Sequence, residues 1–142
     1  MLQMSQFTQT FIPMLSYEDG EAMMDWLIEA FGFVQKERWM HEGLLSHGEL
    51  TFDGGVIMLA TPTALYQSPM KVRQNYSPAA DWSKVPYIFN GVLVHVSNVD
   101  AHFDRAKAAG ATILSDIQDG PPGRSYRAED PEGQRWFFLE PK

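Results

Sequence analysis

Residues 126–141 read YRAEDPEGQRWFFLEP. The stretch contains two strand-like runs, the end of RSYRAE and then QRWFFLE, joined by Asp130-Pro131-Glu132-Gly133, where proline and glycine suit a tight turn. Working outward, ATILSDI supplies a strand before this hairpin. Upstream of it, the helical run AHFDRAKAAG closes at Gly110 and presents Phe103, Ala106 and Gly110 to one side. Before that helix, GVLVHVS reads as a strand leading into Asn98-Val99-Asp100. The second half of the chain therefore has the order βαβββ.

The first half repeats this order. The apolar stretch FIPMLSY is followed by Glu18-Asp19-Gly20. Then Ala22, Met23, Trp26, Leu27, Ala30 and Phe31 recur at helical spacing up to Gly32. Asp19 is suited to cap the helix N-terminus, and Gly32 to adopt the positive φ that ends it. Three strands are expected at Val34 to Met40, Leu44 to Phe52 and Val56 to Thr61, the last two linked by the hairpin signal Asp53-Gly54-Gly55. Overlaying the halves brings Asp19 near Asp100, Gly32 onto Gly110 and Gly54 onto Gly133, the pattern of an old internal duplication. The expected organisation is α+β: a flexible tail at 1–10, a first βαβββ module at 11–63, a connector at 64–90 that folds over the site, and a second module at 91–142. The connector carries Pro69, Pro78 and Pro86 and has no clear period.

Composition narrows the partners. The chain has 142 residues, with 11 basic and 18 acidic side chains, and a net charge of −7. It has no Lys/Arg stripe of the kind that neutralises phosphates, so nucleic acid is not an expected partner. There is no cysteine, which removes thiolate nucleophiles and zinc–thiolate sites. The polar start lacks the features of a secretion signal and no apolar segment approaches the ~20 residues that cross a bilayer, so the expectation is a cytoplasmic protein without membrane contact.

The tandem βαβββ order, the opening DGEAMMDWLIEAFGF, the strand HGELTF and the closing YRAEDPEGQRWFFLEP resemble the vicinal oxygen chelate superfamily. That group includes glyoxalase I, extradiol dioxygenases, and fosfomycin and bleomycin resistance proteins. The resemblance covers about residues 11 to 141. It implies two modules whose sheets curl around a cleft, commonly in a homodimer. Metal-dependent members of the superfamily place His and Glu ligands on the first and last strands of each module. The matching positions here are Ile12, Met58, Val92 and Phe137, all apolar, so the usual divalent site is not expected to form and no cofactor is expected.

His47 and Glu49 project from one face of their strand, while Leu50 and Phe52 occupy the other. The polar pair is expected to look into the cleft, either as two potential ligands or as an imidazole–carboxylate pair for a polar ligand. The repeat places Tyr126 opposite His47 and Ala128 opposite Glu49. Arg124 follows a Gly/Pro loop, where it would clamp an anion or pair with nearby aspartates. His95 is expected to be structural, and His41 and His102 solvent-exposed, the latter on the outer helix face. Trp26 and Trp136 suit the core, whereas Trp39, and Trp82 with Tyr66, Tyr76 and Tyr87 near it, are free to line a pocket.

The expected binding set is thus Trp39, His47, Glu49, Met58, Trp82, Arg124, Tyr126 and Phe137. The expected function is metal-free binding of a small organic ligand, planar or cationic, in an apolar cleft. Two alternatives stand beside it: a lyase, isomerase or dioxygenase with an unconventional site at His47 and Glu49, and a ligand-free interaction module. The sequence contains no GxSxG, phosphate-binding loop, dinucleotide fingerprint or HExxH.

Overall fold

The computed structural model describes residues 9–85 and 90–142. Met1 to Thr8 of the expected tail, and Tyr87, lie outside the described residues. The chain is built from two modules in series. The first comprises β1 (Met14–Ser16), α1 (Gly20–Phe31), β2 (Val34–His41), β3 (Leu44–Phe52) and β4 (Gly55–Ala60). The connector holds two short helices, α2 (Pro69–Asn75) and α3 (Ser77–Trp82). The second module comprises β5 (Gly91–His95), α4 (Val99–Ala108), β6 (Thr112–Gly120), β7 (Gly123–Glu129) and β8 (Arg135–Pro141). Each module forms one four-stranded sheet, ordered β1-β4-β3-β2 and β5-β8-β7-β6. In both, the first and last strands run parallel and the others antiparallel.

The helix ends follow local chemistry. Asp19 accepts a hydrogen bond from the Ala22 amide, and Gly32 closes α1 at φ 78°, a conformation that an L side chain resists. In the second module the cap is Asn98, whose side chain accepts from Ala101, so Asp100 lies inside the first turn and Asn98 is the counterpart of Asp19. The connector, expected to be irregular, is helical because Pro69 and Pro78 sit at the first helical positions, where a missing N–H costs nothing.

One core serves both modules. The helix-facing sides of the two sheets contribute to a single buried cluster that includes Met24, Leu27, Phe31, Leu50, Val99, Ala106, Tyr126, Trp136 and Phe138. Phe31, at the end of α1, lies 5.5 Å from the Trp136 ring and 4.6 Å from that of Phe138. Beside it stands His102, expected on the outer face of α4 but buried. Its Nε2–H donates to the Phe31 carbonyl at 2.9 Å and its Nδ1 accepts from the Tyr126 hydroxyl at 2.6 Å. The inward stripe of α4 is Val99, His102 and Ala106, with Phe103 packed alongside. Helical spacing puts 102 on the same side as 99 and 106; the polarity of histidine masked this. Trp136 is in the core as expected, and Trp26 packs against its edge while its indole donates to the Ala109 carbonyl.

A second weld joins the turn of β7–β8 to the entry of α1. Asp130 is 1% exposed and accepts from the Tyr17 hydroxyl (2.6 Å), the Trp136 indole (3.2 Å) and the amides of Glu132 and Gln134. The Glu132 carboxylate then accepts from the Glu18 and Asp19 amides. The same turn seats the connector. Met70 donates its amide to the Glu132 carbonyl, and Gly133 lies so close that a Cβ there would come within 2.8 Å of the Met70 nitrogen. Farther along, Glu129 receives both Arg73 of α2 and Arg135 of β8, while the Arg135 guanidinium also donates to the Ser83 and Val85 carbonyls.

The two buried welds titrate in opposite senses. Burial pulls His102 down to about 4, below the ~6.5 of an unfolded histidine. Between those values the unfolded chain binds a proton that the folded chain does not, so acidification destabilises. Burial outweighs the hydrogen bonds from Tyr17 and Trp136 and pushes Asp130 up to about 6, so its contribution has the reverse sign over nearly the same range. Replacing His102 by Gln is therefore expected to lower the melting temperature most at pH 7, with a penalty that shrinks towards pH 4.5. Thermal melts of both proteins across that range check this; a penalty that grows on acidification contradicts it.

Candidate functional site

With both helix-facing sides committed to one core, each sheet has a second face turned away from it. On the first sheet the pairing register sets Met14, Met58, Glu49 and Glu37 in a row across β1, β4, β3 and β2. His47 and Trp39 form the adjacent row. Their rings stand 5.8 Å apart, His47 Nε2 lies 2.7 Å from a Glu49 oxygen, and the Trp39 indole donates to Glu37. Lys36 approaches the other Glu49 oxygen at 3.9 Å. The expected grouping of Trp39, His47, Glu49 and Met58 is thus present on one surface. It is open: Met14 is 80% and Trp39 60% exposed.

The second sheet repeats the row. Leu93, Phe137, Arg127 and Ser115 align across β5, β8, β7 and β6. The Arg127 guanidinium lies over the Phe137 ring at 4.3 Å, and Leu93 is half exposed. One end of this face is covered by the connector through Glu129 and Arg135, which brings Trp82, paired edge-on with Tyr76 at 6.1 Å, to its border.

Three expected placements are corrected. Tyr126 is buried and points into the core, where His102 uses its hydroxyl. Arg124 lies on the helix side of the second sheet and is taken up by Asp100 and Asp119. The counterpart of Glu49 is Arg127, not Ala128. The cause is a difference in turn length: Phe52 pairs with Gly55 across two residues, but Glu129 pairs with Arg135 across five. Overlaying Gly54 on Gly133 therefore slips the register by one residue, which turns every side chain to the opposite face. The alternation in YRAE held the signal, since Tyr126 and Ala128 are apolar and Arg127 and Glu129 charged.

His95, expected to be structural, is exposed and lines a crevice of about 400 Å³ between β5 and the β3–β4 hairpin. Phe33, Leu50, Phe52, Ile57, Val92 and Val94 also line it. Leu50 points opposite to Glu49, but Leu93 of the outward row also lines the crevice, which therefore meets the outward face of the second sheet at β5.

The same register tests the metal site of the superfamily. The outward positions on the first and last strands are Met14, Met58, Leu93 and Phe137, with Val92 turned towards the core. Two thioethers, an isobutyl group and a phenyl ring do not hold a hard or borderline divalent ion. Among the described residues no group of three His, Asp or Glu side chains converges on a point. The residues do not fit the metal.

Comparison with known proteins gives a consistent picture. The family model described as Glyoxalase/Bleomycin resistance protein/Dioxygenase superfamily matches residues 11–138. TioX from Micromonospora sp. ML1 is 32% identical, with a TM-score of 0.68 over 94% of this chain and 97% of that one. TnmS3, an antibiotic binding protein from Streptomyces sp. CB03234, is 18% identical, with a TM-score of 0.63 over 95% and 98% of the two chains. An uncharacterised protein of Mycobacterium bovis is 27% identical over 91% of this chain and 81% of its own length. Among the described residues no helix is long and apolar enough to cross a membrane.

The donor set leads to a direct expectation. Protein purified after exposure to Zn, Ni, Mn, Fe and Co salts should hold far less than one equivalent of any of them by elemental analysis. Added chelator should leave its melting temperature unchanged, because an ion bound only to the folded state would raise it. One equivalent lost on replacing His47 or Glu49 contradicts the donor argument.

Proposed function

The chain belongs to the Glyoxalase/Bleomycin resistance protein/Dioxygenase superfamily, and from that premise we propose that it binds a small planar organic molecule, without metal, in an apolar cleft between two copies of itself. The observation that carries this reading is the pair of outward faces. Each presents large apolar side chains: exposed Met14 and Trp39 beside part-buried Met58 on the first sheet, and exposed Leu93 beside part-buried Phe137 on the second. Contiguous exposed apolar surface of this kind marks interaction sites. Both faces belong to one chain but turn away from its shared core, so apposing the first face of one protomer with the second face of its partner closes two equivalent clefts by two-fold symmetry.

The chemistry of the cleft suits binding. Trp39, Met58 and Phe137 offer flat or polarizable surface for stacking, and His47 with Glu49 supplies a polar group that fixes orientation. The connector, held at Arg73 of α2 and, past α3, at Ser83 and Val85 by Arg135, brings Tyr76 and Trp82 to border the cleft. The similarity to TnmS3, named an antibiotic binding protein, supports sequestration of a small molecule rather than its conversion.

Light scattering of the full chain at micromolar concentration is expected to give twice 16.1 kDa, and calorimetry to show saturable binding of the neutral planar probe 2-naphthylmethanol. Leu93→Asp, which places a charge on the outward face, should shift the mass towards 16.1 kDa and remove the binding together. A wild-type chain that is monomeric and still binds the probe would refute the shared cleft.

A further inference from the structure

The chain has six arginines, and five of them meet oxygen. Arg38 pairs with Asp25 and Glu21, Arg73 and Arg135 with Glu129, and Arg124 with Asp100 and Asp119. Arg105 donates to the Glu29 and Ile28 carbonyls. Arg127 alone, among the described residues, has no carboxylate or carbonyl partner; its contact is the Phe137 ring. In a protein with eighteen acidic side chains, a guanidinium without one stands out. Its neighbour two positions along the strand, Glu129, is already bound by Arg73 and Arg135, so it is not a ready partner.

Arg127 is also placed for use. It stands in the row of Leu93 and Phe137 on the outward face, at the position that Glu49 holds in the first module. Stacking on Phe137 leaves the second face of the guanidinium plane for another flat group and its edge N–H donors for a carboxylate. On the opposing sheet Glu49 already has His47 at 2.7 Å and Lys36 at 3.9 Å, so its pull on a ligand cation is blunted. On the second sheet Arg127 is the charge of the row without an oxygen partner, while Glu37 on the first sheet already accepts from the Trp39 indole.

We propose that Arg127 is the anion-recognising residue of the cleft, and that the ligand is a planar aromatic acid whose ring stacks beside Phe137 and whose carboxylate takes the guanidinium edge. This rests on the planar-ligand reading above and assigns the ligand's charge. An arginine fits because its planar fork engages a carboxylate through two parallel hydrogen bonds while its face remains stacked.

The test is calorimetry of the full chain with three probes of one shape: 2-naphthoate, 2-naphthylmethanol and 2-naphthylmethylammonium. Naphthoate should bind tightest to the wild type. Arg127→Gln should weaken naphthoate by ~10- to 100-fold, the range for hydrogen bonds to a charged group, and change naphthylmethanol less than twofold. Arg124→Gln should leave all three unchanged. If naphthylmethanol binds but naphthoate is not preferred, or if Arg127→Gln leaves naphthoate unaltered, the assignment of Arg127 fails while the planar cleft stands. If none of the three probes binds, both fail together. Light scattering of Arg127→Gln must still give the wild-type mass; dissociation would show that the guanidinium serves the subunit contact, which overturns the proposal.

Discussion

The contact on which the rest of the architecture depends is that between the end of α1 and the second module. Phe31 packs against Trp136, Phe138 and His102, while His102 simultaneously satisfies the Phe31 carbonyl and the Tyr126 hydroxyl. A helix C-terminus leaves carbonyls without intrahelical partners, and burying one without a donor is costly. Here the neighbouring module supplies the donor. Truncation of a buried phenylalanine costs about 3–5 kcal/mol, and at this position the loss falls on the junction rather than on one module. Because the helix-facing sides of both sheets are used up in this junction, the opposite sides are left for other purposes.

The duplicated rows underlie the use proposed for those sides. Met14, Met58, Glu49 and Glu37 answer to Leu93, Phe137, Arg127 and Ser115. The two positions nearest the β1 and β5 edges are apolar in both modules, which removes the donors that a divalent ion needs and leaves surface for an organic ring. The third position has diverged to opposite charges. In the proposed cleft such divergence would give two chemically unlike walls, the asymmetry to which the proposed ligand, with one acidic end and one flat body, is matched.

Much of this was legible in the sequence. Asp19 and Gly32 bounded α1, the Asp53-Gly54 turn located the first hairpin, and the βαβββ order of both halves was readable because caps and turns are local chemistry. The side-by-side placement of His47 and Glu49 followed from strand alternation alone. What was not legible depended on distant partners. His102 reads as a surface residue until Phe31 and Tyr126 are brought to it. The register of the second hairpin depends on a five-residue turn closed by Asp130, and a one-residue slip there exchanged Arg127 for Tyr126 and Ala128. The connector's helices are short, and their docking relies on Glu132, Gly133, Glu129 and Arg135, each fifty or more residues in sequence from the connector group it contacts.

The central claim, that each cleft takes its walls from two chains, is tested most directly by complementation. Trp39→Ala disables the first wall and Phe137→Ala the second. Co-expressed with different tags and purified as a mixed dimer, the two variants are expected to recover one probe site per dimer by calorimetry, although each variant alone has none. Recovery follows because the mixed dimer joins the intact first wall of one chain to the intact second wall of the other. A mixed dimer with no site, beside a wild type that binds, would contradict the account.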